Sequence, residues 1–156
     1  VILFLIGPPG IGKTTVAHEL AILGATHLEV DDYRARIGAS TTTNPVVEDA
    51  VNWRVFCAAA LEAREGRLVV IDSTGASKRL RFLRAALDRY PQRVVRLTSS
   101  FPYASCAKKW GASYSLEQFN HILSKIQEVK ADLDRSVDGT TSTVLAREIH
   151  AWATGG

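Results

Sequence analysis

Methionine is absent from this chain of 156 residues, and cysteine occurs only at Cys57 and Cys106. With no C-x-x-C spacing and no clustered histidines, the sequence carries neither a disulfide framework nor a zinc signature. The expected state is two reduced thiols in a cytoplasmic protein. Long apolar runs are missing too. The opening run from Val1 to Ile6 is far too short to span a bilayer and lacks the basic flank of a signal peptide, so no membrane association is expected. Internal repeats and low-complexity linkers are absent. The formal charge of +3 is mild; it suits a phosphorylated ligand without establishing a nucleic-acid partner. Hydrophobic residues at 46% and charged residues at 22% exclude a disordered chain, and the length supports one domain, residues 1–156, with its own core. A start at Val1 without any methionine leads us to expect a fragment of a longer chain.

What is present is concentrated near the start. Gly7-Pro8-Pro9-Gly10-Ile11-Gly12-Lys13-Thr14 matches G-x-x-x-x-G-K-[ST] at every specified position, and Thr15 follows. The apolar, partly β-branched run before it reads as a strand buried on both faces. After it, Val16, Ala17, Leu20 and Leu23 recur at helical spacing up to Gly24, a helix stop. Strand, glycine loop and helix form a phosphate cradle. Glycines let the backbone approach an anion, and successive N–H groups point at it from the positive end of a helix. Lys13 would reach the β- and γ-phosphates, and the Thr14 hydroxyl would ligate Mg²⁺. The chain is therefore expected to bind a nucleoside triphosphate.

Apolar runs then alternate with helical patterns, the signature of βαβ units and a parallel sheet. A short second strand, His27–Val30, runs into Asp31-Asp32-Tyr33-Arg34, at the strand end where open α/β sheets bind ligands. Residues 38–45 read as a mobile loop. Residues 46–64 read as a helix with Val47, Ala50, Val51, Val55, Ala58 and Leu61 on its apolar face, where Trp53 and Phe56 either pack or stack on an acceptor. The third strand, Arg67–Ile71, ends at Asp72-Ser73-Thr74-Gly75, placing the Asp72 carboxylate beside Mg²⁺ or the acceptor.

Residues 77–90 predict a basic helix, either a solvated face or, near its start, a guide for acceptor phosphates. A fourth strand follows over Arg93–Thr98, then an irregular segment with Phe101, Pro102 and Tyr103 leading to Cys106-Ala107-Lys108-Lys109-Trp110-Gly111. Ser115 predicts the cap of a helix to about Asp134. Ser136-Val137-Asp138 predicts a last strand, and Thr141–Ala153 a closing helix with Val144, Leu145, Ile149 and Trp152 inward.

The set of glycine loop, Asp31-Asp32-Tyr33-Arg34 and Ile71-Asp72-Ser73-Thr74 resembles the polynucleotide 5′-hydroxyl kinases. It is similar also to the wider group of small phosphate-loop kinases that act on metabolites, drugs or sugar nucleotides. The resemblance runs through the whole chain in element order. It implies an α/β phosphate-loop NTPase of nucleoside-kinase-like, three-layer form: a five-stranded parallel sheet, helices on both faces and a lid over about 101–114. ATP and Mg²⁺ are the implied cofactors. The implied activity is transfer of the ATP γ-phosphate to an acceptor hydroxyl, first that of a nucleic-acid 5′ end as in a polynucleotide kinase, with a small hydroxyl compound as the alternative.

Carried over by residue, the resemblance makes Asp31 the general base, with Asp32 the adjacent alternative or a helix cap. Arg34 holds the acceptor's own phosphate, and Thr74 joins it as an acceptor contact; Arg79, near the start of the basic helix, is the candidate guide for acceptor phosphates. Lys108 and Lys109 stand where the family usually clamps donor phosphates with arginines, and Gly75 replaces a frequent asparagine. A capped helix start with a surface ion pair is the plainer account of Asp31 and Arg34. A nucleotide-hydrolysing switch is the rival class, but the chain has no Asn-Lys-x-Asp guanine-reading motif and its third strand ends Asp-Ser, not Asp-Glu.

Overall fold

The computed structural model describes residues 1–38, 44–73 and 78–155. In chain order it comprises β1 (Ile2–Ile6), α1 (Lys13–Ile22), β2 (Thr26–Glu29), α2 (Val30–Arg36), α3 (Pro45–Arg64), β3 (Val69–Asp72) and α4 (Lys78–Ala86). Then come β4 (Gln92–Thr98), α5 (Pro102–Trp110), a 3₁₀ turn (Gly111–Ser113), α6 (Leu116–Glu128), β5 (Leu133–Ser136) and α7 (Ser142–Thr154).

β1 explains the architecture. Its sequence Ile-Leu-Phe-Leu-Ile shows no polar alternation because every residue is fully buried. A strand of that kind needs cover on both sides and a neighbour on each edge. Both are supplied: the sheet order is β2-β3-β1-β4-β5, and every pairing is parallel. Ile2, Phe4 and Ile6 pack on Val51 and Val55 of α3, Leu80 and Leu83 of α4, and Ile126 of α6. Leu3 and Leu5 face Val16 and Leu20 of α1 and Leu145 and Ile149 of α7. The expected three-layer α/β fold is present. All carboxyl ends lie along one edge of the sheet, and the register levels Glu29 and Leu5 with Asp72 there.

Several local expectations change. Asp31 and Asp32, expected just past the second strand, sit in the first turn of α2, which begins directly after β2, so they lie at the positive end of a helix. The segment expected to be irregular after β4 is helical: Pro102 opens α5, and Gly111 ends it at φ +58°. The helix expected to reach Asp134 stops at Glu128, and the last strand is Leu133–Ser136, not Ser136–Asp138. Ile122, Ile126, Val129 and Leu133 continue a helical period through the boundary, which hides it in the sequence. Val129 leaves the helix at ψ 125°, and the polar edge strand is fastened by Arg96 to Asp134 at 2.6 Å. α4 ends at Ala86 instead of reaching Tyr90.

Two expected core residues are outside. Leu61 lies off the Val51–Val55–Ala59–Ala63 stripe of α3 and is 60% exposed, and Val144 is 44% exposed. Trp53 is more than half exposed, its ring edge-on to Phe56 and Phe82. Of the expected loop at 38–45, residues 39–43 lie outside the described residues, as do Thr74 and Gly75. Among the described residues, no helix is long and apolar enough to cross a membrane.

Candidate functional site

The glycine loop leaves the buried end of β1 and enters α1 through Gly12 at φ +103°, a conformation closed to most side chains. Gly12 occupies the cap position without a capping side chain, and a Cβ there would meet nothing within 4 Å. The first N–H groups of α1 are thus offered to a ligand in an open concavity. Gly10 has a different reason. Its backbone lies so close to α5 that an added Cβ would stand 2.8 Å from the Cys106 Cα.

A cavity of about 290 Å³ opens over this loop. Its floor is Lys13, Thr14 and Asp72. Lys13 Nζ donates to the Pro8 carbonyl at 3.1 Å. Burial pushes the Lys13 ammonium down to about 8; Asp72 opposes that shift and Lys109 adds to it. The Thr14 hydroxyl donates to Asp72 Oδ2 at 2.8 Å. Burial alone would raise the Asp72 carboxyl, yet His27, Thr14 and Lys13 outweigh it and hold the group below the ordinary carboxylate range. His27 Nε2 lies 3.6 Å from Asp72 Oδ2 and is, among the described residues, a buried side-chain atom without a hydrogen-bond partner. Glu29, level with Asp72, is raised by burial and by the neighbouring Asp32 and Asp72.

The donor set can be tested against Mg²⁺. A hydroxyl and a carboxylate in contact, beside a cation and under an anion cradle, are hard oxygen ligands that leave most positions to phosphate and water, as Mg²⁺ prefers. Among the described residues, no group of three or more His, Cys, Asp or Glu side chains could hold a metal unaided. Thr14 and Asp72 therefore fit a metal that arrives with its nucleotide.

The opposite wall is built from three helices. Arg34 of α2 donates from Nε and Nη2 to the two carboxylate oxygens of Glu48 on α3, at 2.8 and 3.0 Å, and from Nη1 to Asp31. Arg79 of α4 donates from Nη2 to Glu48 and from Nε to Asn52 at 2.7 Å. Burial, reinforced by Arg34, lowers the Arg79 guanidinium to about 10. Asp31, Arg34 and Arg79 all line the cavity.

The expected residues therefore divide. Pro9, Gly10, Gly12, Lys13, Thr14, Asp31, Arg34, Asp72, Arg79 and Lys109 meet in one cavity. Gly7 and Ile11 serve as packing behind it, and Pro8 contributes its carbonyl to Lys13. Thr15, Asp32 and Lys108 are exposed and do not line the cavity. The sequence reading gave no role to Glu29, Trp110 and Tyr114, which line the cavity, nor to Glu48 and His27, which do not line it but meet Arg34 and Asp72. Glu48 carried no signal of its own, since a carboxylate in the first turn of a helix is commonplace.

Fold and loop together define an α/β phosphate-loop NTPase with a kinase-like arrangement. A family model described as AAA domain matches residues 2–109, and the chain belongs to that family. Among curated proteins, none matches the sequence. Solved structures are similar over nearly the whole chain. A tunicamycin resistance protein from Deinococcus radiodurans is 17% identical with a TM-score of 0.75, covering 98% of this chain and 95% of that one. The Mycobacterium tuberculosis APS kinase CysC, in complex with AMPPNP and APS, is 19% identical with a TM-score of 0.71, covering 95% and 94%. A chain of the Pnkp1/Rnl/Hen1 RNA repair complex is 19% identical with a TM-score of 0.67, covering 81% of this chain and 43% of that one. At such identities the likeness is one of fold.

Proposed function

We propose that this chain is an ATP-dependent phosphotransferase that moves the γ-phosphate to a hydroxyl of a small compound. The observation that carries the reading is that one cavity holds both a phosphate cradle, with Lys13 and the Thr14–Asp72 pair, and a carboxylate, Asp31, held by Arg34 on the facing wall. A hydrolysing switch has no need of that second wall.

In this reading the loop N–H groups and Lys13 hold the donor phosphates. Thr14 and Asp72 would hold Mg²⁺, which would supply neutralisation of phosphate charge. Asp31 accepts the proton of the acceptor hydroxyl while that oxygen forms its bond to the γ-phosphorus. The bond from that phosphorus to the bridging oxygen breaks, and its electron pair leaves with ADP. Residues 101–114 act as the closing element, bringing Lys109, Trp110 and Tyr114 over the donor. We assign residues 1–156 to one kinase domain acting in the cytoplasm.

Two observations favour a small acceptor over a nucleic-acid 5′ end. Arg79, at the head of α4, lines the cavity, but Arg81 and Arg84 line a separate open hollow with Gln92. Gln92 begins β4, so that basic surface runs to the amino edge of the sheet, away from the site. The similar APS kinase is solved with a nucleotide analogue and a small ligand together.

The test is transfer of labelled γ-phosphate from ATP with Mg²⁺ to two acceptor sets, 5′-hydroxyl oligonucleotides and a panel of nucleosides, sugars and small hydroxyl metabolites. Label on the small compounds is expected. Label on oligonucleotides alone would replace the acceptor class, and label on neither would overturn the phosphotransferase.

A further inference from the structure

We infer that Glu48 sets the acceptor class: together with Asp31 it closes Arg34 and Arg79 into a charge-neutral clasp, so the acceptor end takes an uncharged hydroxyl compound and turns away one bearing phosphate or carboxylate there. The inference rests on the phosphotransferase reading and deepens it. An arginine fork free to bind an acceptor anion would present two parallel N–H donors. In Arg34 those donors, Nε and Nη2, already meet both oxygens of Glu48, and Nη1 meets Asp31. Arg79 donates to Glu48 as well, and its remaining contact, Nε to Asn52, pins the guanidinium in place.

Two cations thus face two carboxylates: Arg34, Arg79 and Asp31 line the cavity, and Glu48 joins the arginines from outside its lining. The side chains of Arg34, Glu48 and Arg79 are only 16%, 24% and 13% exposed, so water does little to screen their pairing, while Asp31, at 80% exposed, is paired to Arg34 at the solvent side. An anionic acceptor would have to displace Glu48 from the fork and leave its carboxylate stranded beside a second negative charge. That is the repulsive element which discriminates partners more sharply than added attraction does. An uncharged acceptor instead finds the Asp31 carboxylate, which lines the cavity, ready to accept from its hydroxyls. The phosphate-gripping role that family resemblance gives Arg34 is, in this chain, occupied from within.

The experiment compares matched acceptors with saturating ATP and Mg²⁺: a nucleoside against its 3′-monophosphate, and a neutral sugar against its aldonic or uronic acid. Wild type is expected to favour the uncharged member by about tenfold or more in kcat/KM. Glu48→Gln should narrow or reverse that ratio through the KM of the anionic member while the KM for ATP stays put, a split that mere structural damage would not give. A wild-type preference for the anionic member would overturn the inference and leave the phosphotransferase standing; this comparison needs no variant to fold. A second measurement needs no turnover. With the phosphate loop filled by AMPPNP, inorganic phosphate titrated by calorimetry should bind Glu48→Gln about tenfold more tightly than wild type. Equal binding would overturn the clasp.

Discussion

The two walls of the cavity are built on opposite plans. The donor wall is nearly contiguous in sequence: a strand, a loop and the first turn of a helix, with Asp72 the one member from afar. Its working groups are backbone N–H donors and a lysine whose ammonium burial has pushed down to about 8 in spite of the neighbouring Asp72. The acceptor wall is drawn from three helices, and its charges are paired with one another through Glu48. A wall waiting for a tetraanionic ligand leaves its cation buried and poised. A wall waiting for an uncharged ligand settles its charges internally and offers geometry instead. Preorganisation takes a different form in each.

The contrast can be broken at either side. The largest effect is expected from Lys13→Ala, which removes the cation from the donor wall; transfer should fall by about 1,000-fold, with circular dichroism unchanged. Donor turnover close to wild type would mean the donor wall has been misread. Gly10→Ala should follow, because its Cβ would meet the α5 backbone at 2.8 Å in a left-handed conformation. A cost of about 2 kcal/mol is expected, read as a fall of several degrees in Tm together with weaker nucleotide binding.

Arg34→Lys keeps the charge but loses the fork, so kcat/KM for the acceptor should drop by about tenfold while the Kd for AMPPNP moves little. Equal losses on both sides would dissolve the distinction between the walls. The smallest effect is in pH. Burial disfavours the charged form of Lys13, so the free protein holds it protonated below about 8 and neutral above. Anion binding requires the protonated form. Metal-free ADP should therefore bind less tightly above pH 8, by up to about tenfold per unit. Lys13→Arg, charged throughout, should erase that break.

The same contrast explains what the sequence made legible. β1, the glycine loop and α1 were readable because strand, loop and cap are local physics: an unbroken buried run, glycines with positive φ, and a helical period. Asp31, Arg34 and Asp72 were readable as strand-end residues. Glu48 was not, because its meaning lies in Arg34 and Arg79, 14 and 31 residues away, and no periodicity records that meeting. His27 sits on a short strand whose residues do not mark it out, while its approach to Asp72 is a fact of sheet register. The misplaced β5 is the reverse failure: a helical period continued past Glu128 and obscured an edge strand whose polar residues are held by Arg96.

The most direct test of two walls serving one transfer is Asp31→Asn, assayed for both functions on the same preparation. AMPPNP affinity, measured by calorimetry, should stay within about twofold of wild type, while γ-phosphate transfer to the accepted hydroxyl falls by about 100-fold. Undiminished transfer by Asp31→Asn, or a loss of donor binding as large as the loss of transfer, would contradict the account.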